Sequence, residues 1–161
     1  MDIRAYDSDS PTDTAGLWTL KEAFERELGS KNAEKSATYD EKLTDTYRER
    51  YLDWVARATD SEDCLLLAEH DGGVVGYAFM LPESMAMIWD AAVLNEIYVV
   101  PDHRGTGLAG ELLEAGLDHA RSQDLPLDRV VFDVDPDNER AYAFYGKFGF
   151  ETWAEMVSRD L

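Results

Sequence analysis

The sequence is short of cysteine, of basic residues and of long apolar runs. One of its 161 residues is a cysteine, Cys64, which excludes an intramolecular disulfide and a zinc site built from several thiolates. Lysine and arginine together number 15 against 34 aspartate and glutamate residues, so the formal net charge is −19. Such a chain lacks the excess of cations with which proteins bind nucleic acids or anionic membranes. We therefore expect neither as a partner.

No apolar run reaches the roughly 18 residues of a membrane span, because Asp90 interrupts the longest candidate. The first residues have neither the basic nor the apolar region of a signal peptide. We therefore expect a cytoplasmic protein. The length suits a single domain, residues 1–161. The acidic residues are spread along the whole chain. Because an even acidic coat repels itself at low salt and is screened at molar salt, it favours a halophilic source; the alternative is an ordinary acidic protein.

Hydrophobic spacing predicts ten segments of secondary structure. In chain order they are a strand at 3–6, helices at 14–28 and 38–58, strands at 64–69, 74–81 and 92–100, a helix at 105–123, a strand at 129–134, a helix at 138–148 and a strand at 151–158. The polar stretch 29–36 is predicted to be a loop, and Asp71-Gly72-Gly73 a hairpin turn. The order β-α-α-β-β-β-α-β-α-β is typical of a layered α/β or α+β domain with helices packed on a mixed sheet.

The most informative segment is a glycine-rich turn between a strand and a helix, Arg104-Gly105-Thr106-Gly107-Leu108-Ala109-Gly110. The first backbone N–H groups of a helix have no partner within it, and the helix dipole adds about half a positive charge there. Gly105 and Gly107 remove side chains that would keep a phosphate at a distance, and Arg104 adds a charged donor. Together these features predict a phosphate-binding loop.

Residues 105–110 also match the G-x-G-x-x-G pattern of dinucleotide-binding proteins, but their context does not. Residues 101–104 separate the glycines from the strand, and the acid at the end of the next strand, Asp133, lies beyond the expected spacing of about 20 residues. Too few strands follow for a dinucleotide-binding half. A dinucleotide-dependent reductase is therefore a weak alternative.

The loop resembles the R-x-x-G-x-G/A acyl-CoA loop of the GNAT N-acetyltransferase superfamily, and it follows a strand that ends Tyr98-Val99-Val100-Pro101. Residues 138–150, NERAYAFYGKFGF, resemble the second motif of that family, N-x-x-A-x-x-x-Y-x-x-x-G-F. The resemblance is strong from residue 74 onward and weak over 29–60. It implies a mostly antiparallel mixed central sheet with helices on both faces. It also implies acetyl-CoA as co-substrate, without a metal.

The resemblance implies roles for the residues at matching positions. Ile97, Tyr98 and Val99 would offer backbone groups to the pantetheine arm, and the backbone N–H groups of the loop would bind the pyrophosphate. Asn138 would lie near the pantetheine, although an Asn at this place is equally suited to capping a helix. Tyr145 would protonate the departing CoA sulfur, or else it is a core aromatic residue.

A primary amine must be neutral to attack a thioester, yet an alkyl ammonium has a pKa of about 10.4. A general base is therefore expected, and Glu96 and Asp133 both occupy positions where members of the family carry one. We favour Glu96, because a carboxylate in an otherwise apolar strand is unusual. Solvent, or no dedicated base, is the third possibility, and both residues could simply be acids at the edge of the sheet.

Tyr39, Tyr47, Tyr51 and Trp54 form an aromatic stripe in the second predicted helix. Such a stripe is typical of a core, but in this fold it would also border the acceptor site. Aromatic rings and acids would hold a small amine, a polyamine-like molecule or a peptide N-terminus. The expected activity is acetyl transfer from acetyl-CoA to a primary amine in a ternary complex. The alternative is a non-catalytic acyl-CoA-binding sensor or interaction module. The charge disfavours acylation of charged transfer RNA, and a homodimer is expected by analogy alone.

Overall fold

The structure is a computed structural model that describes residues 1–161. It divides into two compact units, Met1–Val131 and Phe132–Leu161. The first unit contains β1 (Asp2–Ala5), α1 (Pro11–Gly29), α2 (Ala33–Lys42), α3 (Asp45–Ala58), β2 (Leu65–His70), β3 (Gly73–Met80), β4 (Ala92–Val99), α4 (Leu108–Ser122) and β5 (Val130–Val131). The second contains α5 (Glu139–Gly146). None of the helices has both the length and the apolar composition needed to cross a lipid bilayer.

The first unit is built on a five-stranded sheet in the order β1-β2-β3-β4-β5. The first four strands pair antiparallel, and β5 pairs parallel to β4 through Val130 and Val131. The predicted hairpin joins β2 to β3, with φ of 50° at Asp71 and 78° at Gly72, as a tight two-residue turn requires. The prediction of a mixed, mostly antiparallel sheet is confirmed.

Helices cover both faces of this sheet. Leu108 and Leu112 of α4 pack with Ala78 and Val99 on one face. The neighbouring residues Tyr77, Phe79 and Tyr98 point to the other face, because successive side chains of a strand alternate. There Phe24 of α1 contacts the rings of Tyr77 and Tyr98, and Trp54 of α3 lies 5.2 Å from Phe79 between ring centroids.

An irregularity in β4 lies next to Glu96. Glu96 is paired with Phe79 of β3, whereas Leu94 is paired with the adjacent Met80, so Asn95 is one residue more than β3 can match. Such a bulge bends a strand locally and re-aims the side chains around it. Glu96 lies on the same face of the sheet as Tyr98, two residues further on, and it is buried with hydrogen bonds to α1 and α3.

The predicted helix 38–58 is wrong, because the structure has two helices there. α2 ends at Lys42, and Thr44 caps α3 by accepting a hydrogen bond from the N–H of Tyr47 at 3.2 Å. α2 also begins within the predicted loop 29–36, where the side chain of Asn32 caps it. Asn32 and Thr44, which precede the two helices, have side chains that compete well for backbone N–H groups. The spacing of apolar residues continues unchanged on either side of Thr44, so it does not indicate the break between α2 and α3.

Two predicted strands also differ from the structure. The strand 129–134 is limited to Val130–Val131, the two residues paired with β4. Residues 151–161 have no regular secondary structure, so the predicted strand 151–158 is wrong. A strand needs a neighbouring strand to satisfy its backbone groups, and Phe132–Leu161 contains no other strand.

An ion pair joins β1 to the start of α1. The carboxylate of Asp13 is 3% exposed and accepts from both terminal nitrogens of Arg4, at 2.7 and 2.8 Å. It also accepts from the N–H of Asp7 at 3.0 Å. The hydrogen bonds from Arg4 hold the pKa of Asp13 below its ordinary value. This pair fixes the first turn of α1 against the edge of the sheet.

We expect Asp13→Asn to lower the free energy of unfolding by about 2 kcal/mol at pH 7, because hydrogen bonds to charged groups are worth about 1.5–3 kcal/mol. Since the pKa of Asp13 is lower in the folded state, its stabilisation is present above the unfolded value near 3.9 and is lost as pH falls further. Urea unfolding of both proteins should therefore give a difference that shrinks below about pH 4. Asp9→Asn, a change at an exposed residue, is the control; an equal loss there would contradict the assignment.

Candidate active site

The connection from β4 to α4 is a loop with two glycines in the left-handed region. Gly105 has φ of 77° and Gly107, which precedes the first residue of α4, has φ of 97°. A Cβ atom at Gly105 would meet no atom within 4 Å, so backbone conformation, and not crowding, calls for glycine there. The loop is exposed at residues 105–107, which leaves its backbone open to a ligand.

Six consecutive backbone N–H groups in this loop, those of residues 105–110, donate to no acceptor within the protein. The N–H groups just before them are engaged, since His103 donates to the carbonyl of Val100 and Arg104 to that of Pro101. Free N–H groups at a helix N-terminus form a site for an anion. The N–H groups that could bind the predicted anion are therefore those of residues 105–110, and the N–H of Arg104 is not among them.

The side chain of Arg104 points back into the protein. Its Nε donates to the carbonyl of Val99 at 2.9 Å, and one terminal nitrogen donates to Glu27 of α1 at 2.6 Å. The guanidinium also lies over the ring of Tyr98, 5.4 Å from its centroid. Arg104 thus anchors the loop to β4 and α1, a role that the expected phosphate contact did not include.

The outer edge of β4 has backbone groups that face away from β3. Where β4 ends, the N–H of Val100 donates to the carbonyl of Val75. In an antiparallel pair every second residue directs its backbone groups to the partner strand, so Tyr98 also directs its groups toward β3. Ile97 and Val99 therefore present theirs to the opposite edge. Of the three residues expected to contact a pantetheine arm, Tyr98 already uses its backbone within the sheet. The carbonyl of Val99 already accepts from Arg104, which leaves its N–H at this edge.

Beneath the strand lies a group of polar side chains that we call the buried network: Lys21, Glu25, Lys42, Tyr51, Tyr77 and Glu96. Lys21 donates to Glu96 at 2.6 Å and to Glu25 at 2.5 Å, and Lys42 donates to the other oxygen of Glu25 at 2.7 Å. The hydroxyls of Tyr51 and Tyr77 donate to the second oxygen of Glu96, at 2.8 and 2.9 Å. Both carboxylates thus have donors on both oxygens.

Burial and charge shift the pKa values within the buried network. Burial lowers the pKa of Lys21, but the carboxylates of Glu96 and Glu25 outweigh it, and the net shift is upward. Burial, followed by the charge of Glu96, raises the pKa of Tyr51 and of Tyr77 well above the ordinary phenol value. Lys21 is therefore a cation and both tyrosines are hydrogen-bond donors at any working pH.

A cavity of about 440 Å³ opens beside Glu96. A volume of this size suits a small molecule. α3 forms most of its wall with side chains of two kinds, aromatic rings and charged groups, and Glu96 is the one lining residue from the sheet. The lining residues are Tyr47, Arg50, Tyr51, Asp53, Trp54, Arg57 and Glu96. The predicted aromatic stripe thus borders a cavity at Tyr47, Tyr51 and Trp54.

Three predicted site residues lie in the second unit. Asn138 caps α5, since its side-chain oxygen accepts from the N–H of Ala141 at 3.2 Å, which confirms the capping interpretation. Tyr145 packs against Phe132 and Phe150, at 4.2 and 5.9 Å between ring centroids, and burial raises its pKa to about 12. Asp133 is an exposed residue of this unit.

The sequence interpretation did not include Lys21 and Glu25. Both lie on the apolar stripe of α1, between Leu17, Leu20 and Phe24, where a charged side chain is as unusual as Glu96 is in its strand. Their spacing of four residues places them on one helix face. The presence of two charged residues on an apolar helix stripe was therefore the sequence signal that could have identified Lys21 and Glu25 as buried site residues. Cys64 is a buried free cysteine, and burial raises its pKa to about 12.

Comparison with known proteins gives one family and several relatives. The model of the acetyltransferase (GNAT) family matches residues 20–150. An N-acetyltransferase of Mycobacterium tuberculosis, itself named as uncharacterised, is 37% identical over 94 residues, 58% of this chain and 56% of that protein. A mycothiol acetyltransferase of Thermobispora bispora is 39% identical over 94 residues, 56% of this chain and 31% of that protein. The chain thus spans little more than half the length of the curated relatives it matches, or less.

Two solved structures illustrate the shared fold. The PaiA N-acetyltransferase of Thermoplasma acidophilum, in complex with coenzyme A, has a TM-score of 0.69 and 18% identity over 94% of this chain and 91% of its own. A Salmonella typhimurium protein with its cofactor acetyl-CoA has a TM-score of 0.70 and 23% identity over 97% of this chain and 82% of its own. At these identities the likeness concerns the fold alone. Because the family model matches most of the chain, the glycine loop included, the chain belongs to the acetyltransferase (GNAT) family.

Proposed function

We propose that this protein transfers an acetyl group from acetyl-CoA to a primary amine by direct attack in a ternary complex. The observation that carries the proposal is that one strand, β4, bears both halves of the required site. It leads into the loop with six free N–H groups, and it places Glu96 beside the cavity. The family match from 20 to 150 includes residues of both units, which supports residues 1–161 acting as one acetyltransferase domain.

The glycine loop fits the pyrophosphate of acetyl-CoA. Its N–H groups are free, its glycine backbone is open, and the guanidinium of Arg104 holds it against β4 and α1. Ile97 and Val99 would bind the pantetheine arm along the outer edge of β4. Bound acetyl-CoA supplies the acetyl group as a thioester, which a neutral amine attacks. Asn138 keeps its side-chain NH₂ for that ligand while its oxygen caps α5.

Glu96 is the proposed general base. An acceptor amine arrives mainly as an ammonium, since its pKa is near 10.4, and must lose a proton before it attacks. Glu96 lines the cavity and takes up that proton directly or through one water. Lys21, Tyr51 and Tyr77 are positioning residues, because their hydrogen bonds fix both carboxylate oxygens. Asp133, exposed in the second unit, remains the alternative base.

Tyr145 is the proposed donor to the departing sulfur. A phenol with a pKa of about 12 keeps its proton throughout the neutral range. A thiolate has a conjugate acid near 8.5, so the phenol stabilises it chiefly by donating a hydrogen bond, and full proton transfer is unfavourable. Phe132 and Phe150 hold the ring.

We expect Gly107→Trp to abolish micromolar binding of acetyl-CoA, measured by calorimetry, because a bulky side chain would cover the free N–H groups. Gly72→Trp is a matched control, since Gly72 also has positive φ and open space around it but lies in the β2–β3 turn. It carries a similar conformational strain and should bind normally. Absence of acetyl-CoA binding by folded wild-type protein, in low or molar potassium chloride, would overturn the proposal.

We expect Glu96→Gln to lower kcat by about 100-fold or more, the usual contribution of a general base, while the Kd for acetyl-CoA stays unchanged. The assay is release of free CoA with a panel of primary amines. Asp133→Asn in the same assay should have little effect; the reverse pattern would assign the base to Asp133. Wild-type protein that binds acetyl-CoA and acetylates no amine would favour the sensor module.

We expect Lys21→Met to lower the free energy of unfolding by about 3–5 kcal/mol, because it leaves Glu96 and Glu25 without their buried cation. Lys42→Met should cost much less, since Lys42 is 35% exposed. Because the pKa of Lys21 is raised on folding, its stabilisation is complete below the unfolded value of about 10.4 and is lost as pH rises further. Guanidinium unfolding at pH 7 and pH 9 should give the same difference; equal losses in the two variants would contradict this.

A further inference from the structure

The face of α3 that lines the cavity carries three aromatic rings and two arginines. Tyr47, Arg50, Tyr51, Trp54 and Arg57 occupy positions i, i+3, i+4, i+7 and i+10, which fall on one side of a helix. Both arginines are therefore directed to the same side as the rings that border the cavity. They lie two helical turns apart, about 10 Å along the axis.

The two arginines differ in what they contact. Arg57 pairs with Asp53, which also lines the cavity, at 3.3 Å. Arg50 takes part in no ion pair or hydrogen bond of the structure. A guanidinium keeps its charge at every pH and presents several donors in one plane, a geometry that matches a carboxylate or a phosphate. Arg50 is therefore a cation available to a ligand in the cavity.

The charges that line the cavity also differ from those of the chain as a whole. The lining has two basic groups, Arg50 and Arg57, and two acidic groups, Asp53 and Glu96, so it is balanced. The chain has 15 basic and 34 acidic residues. A site meant for a polycation would be expected to share the acidic character of its surroundings, and this one does not.

We propose that the acceptor carries an anionic group, a carboxylate or a phosphate, in addition to its amine, and that Arg50 binds this group. The amine is then directed to Glu96 and the anion to Arg50, two residues that line the same cavity. The aromatic rings accept the part of the molecule between them. An amino acid, a small peptide with a free amine or an amino phosphate has this chemistry, and a polyamine does not. The inference rests on the proposed acetyl transfer.

Matched acceptors test the inference, with acetylation followed as CoA release. The first pair is L-phenylalanine and L-phenylalaninamide; the second is O-phosphoethanolamine and ethanolamine. We expect the member that carries the carboxylate or phosphate, in at least one pair, to have a kcat/KM about tenfold or more above the partner that lacks the anionic group. The pair that responds distinguishes a carboxylate from a phosphate. The amide has the more readily deprotonated amine, so a preference for the acid would run against intrinsic reactivity.

Substitutions at Arg50 tie that preference to one side chain. Arg50→Gln should raise KM for the anionic acceptor about tenfold with little change in kcat, because the contact is equal in the ground and transition states. The partner that lacks the anionic group should be unaffected, and Arg50→Glu should reverse the preference. Arg48→Gln is the control, since Arg48 lies on the same helix against Trp18 and does not line the cavity.

A readout that needs no turnover is the fluorescence of Trp54, which lines the cavity. N-acetyl-L-phenylalanine should change it in the wild type and not in Trp54→Phe, and Arg50→Gln should weaken the binding about tenfold. Equal use of both members of each pair, or a preference that survives Arg50→Glu, overturns the inference and leaves acetyl transfer intact. Acetyl-CoA binding without acetylation of any amine counts against the proposed function itself.

Discussion

A carboxylate buried beside an ammonium group, Glu96 beside Lys21, is the interaction on which the rest of the first unit depends. Removing each ion from water costs several kcal/mol, which attraction offsets only where the remaining oxygens also have donors. That condition is met: Tyr51 and Tyr77 donate to the second oxygen of Glu96, and Lys42 donates to Glu25, the other carboxylate bound by Lys21. A well-packed apolar cluster would hold these elements at least as firmly. The network is therefore better explained by the need for a fixed carboxylate beside the cavity than by stability.

The buried network also determines how the helices meet the sheet. Lys21 belongs to α1, Lys42 is the last residue of α2, Tyr51 lies in α3, and Tyr77 and Glu96 lie in neighbouring strands. Five elements therefore meet through hydrogen bonds with directional requirements, whereas apolar contacts would tolerate sliding. The break between α2 and α3 follows from this arrangement, since it allows Lys42 to reach Glu25 while Thr44 starts the helix that carries the cavity wall.

What the sequence could reveal depended on whether a feature is local. The glycine loop was predictable because positive φ and free N–H groups are properties of a few consecutive residues, and the cap at Asn138 was predictable for the same reason. The pairing of Lys21 with Glu96 joins residues 75 positions apart, so no local pattern indicates it. The split at Thr44 was missed because apolar spacing continues across it, and the strand 151–158 because alternation indicates a strand without supplying a partner.

The charges of the acidic surface and those of the cavity act over different distances. An even excess of carboxylates acts on the whole molecule, through solubility and long-range repulsion, and at high ionic strength its field is screened within about 3 Å. Contacts between a ligand and Arg50 or Glu96 are made at hydrogen-bond distance, where screening is weaker. Local arrangement and not net charge would therefore govern which amine the proposed site accepts. A charge of −19 is then compatible with the proposed anionic acceptor.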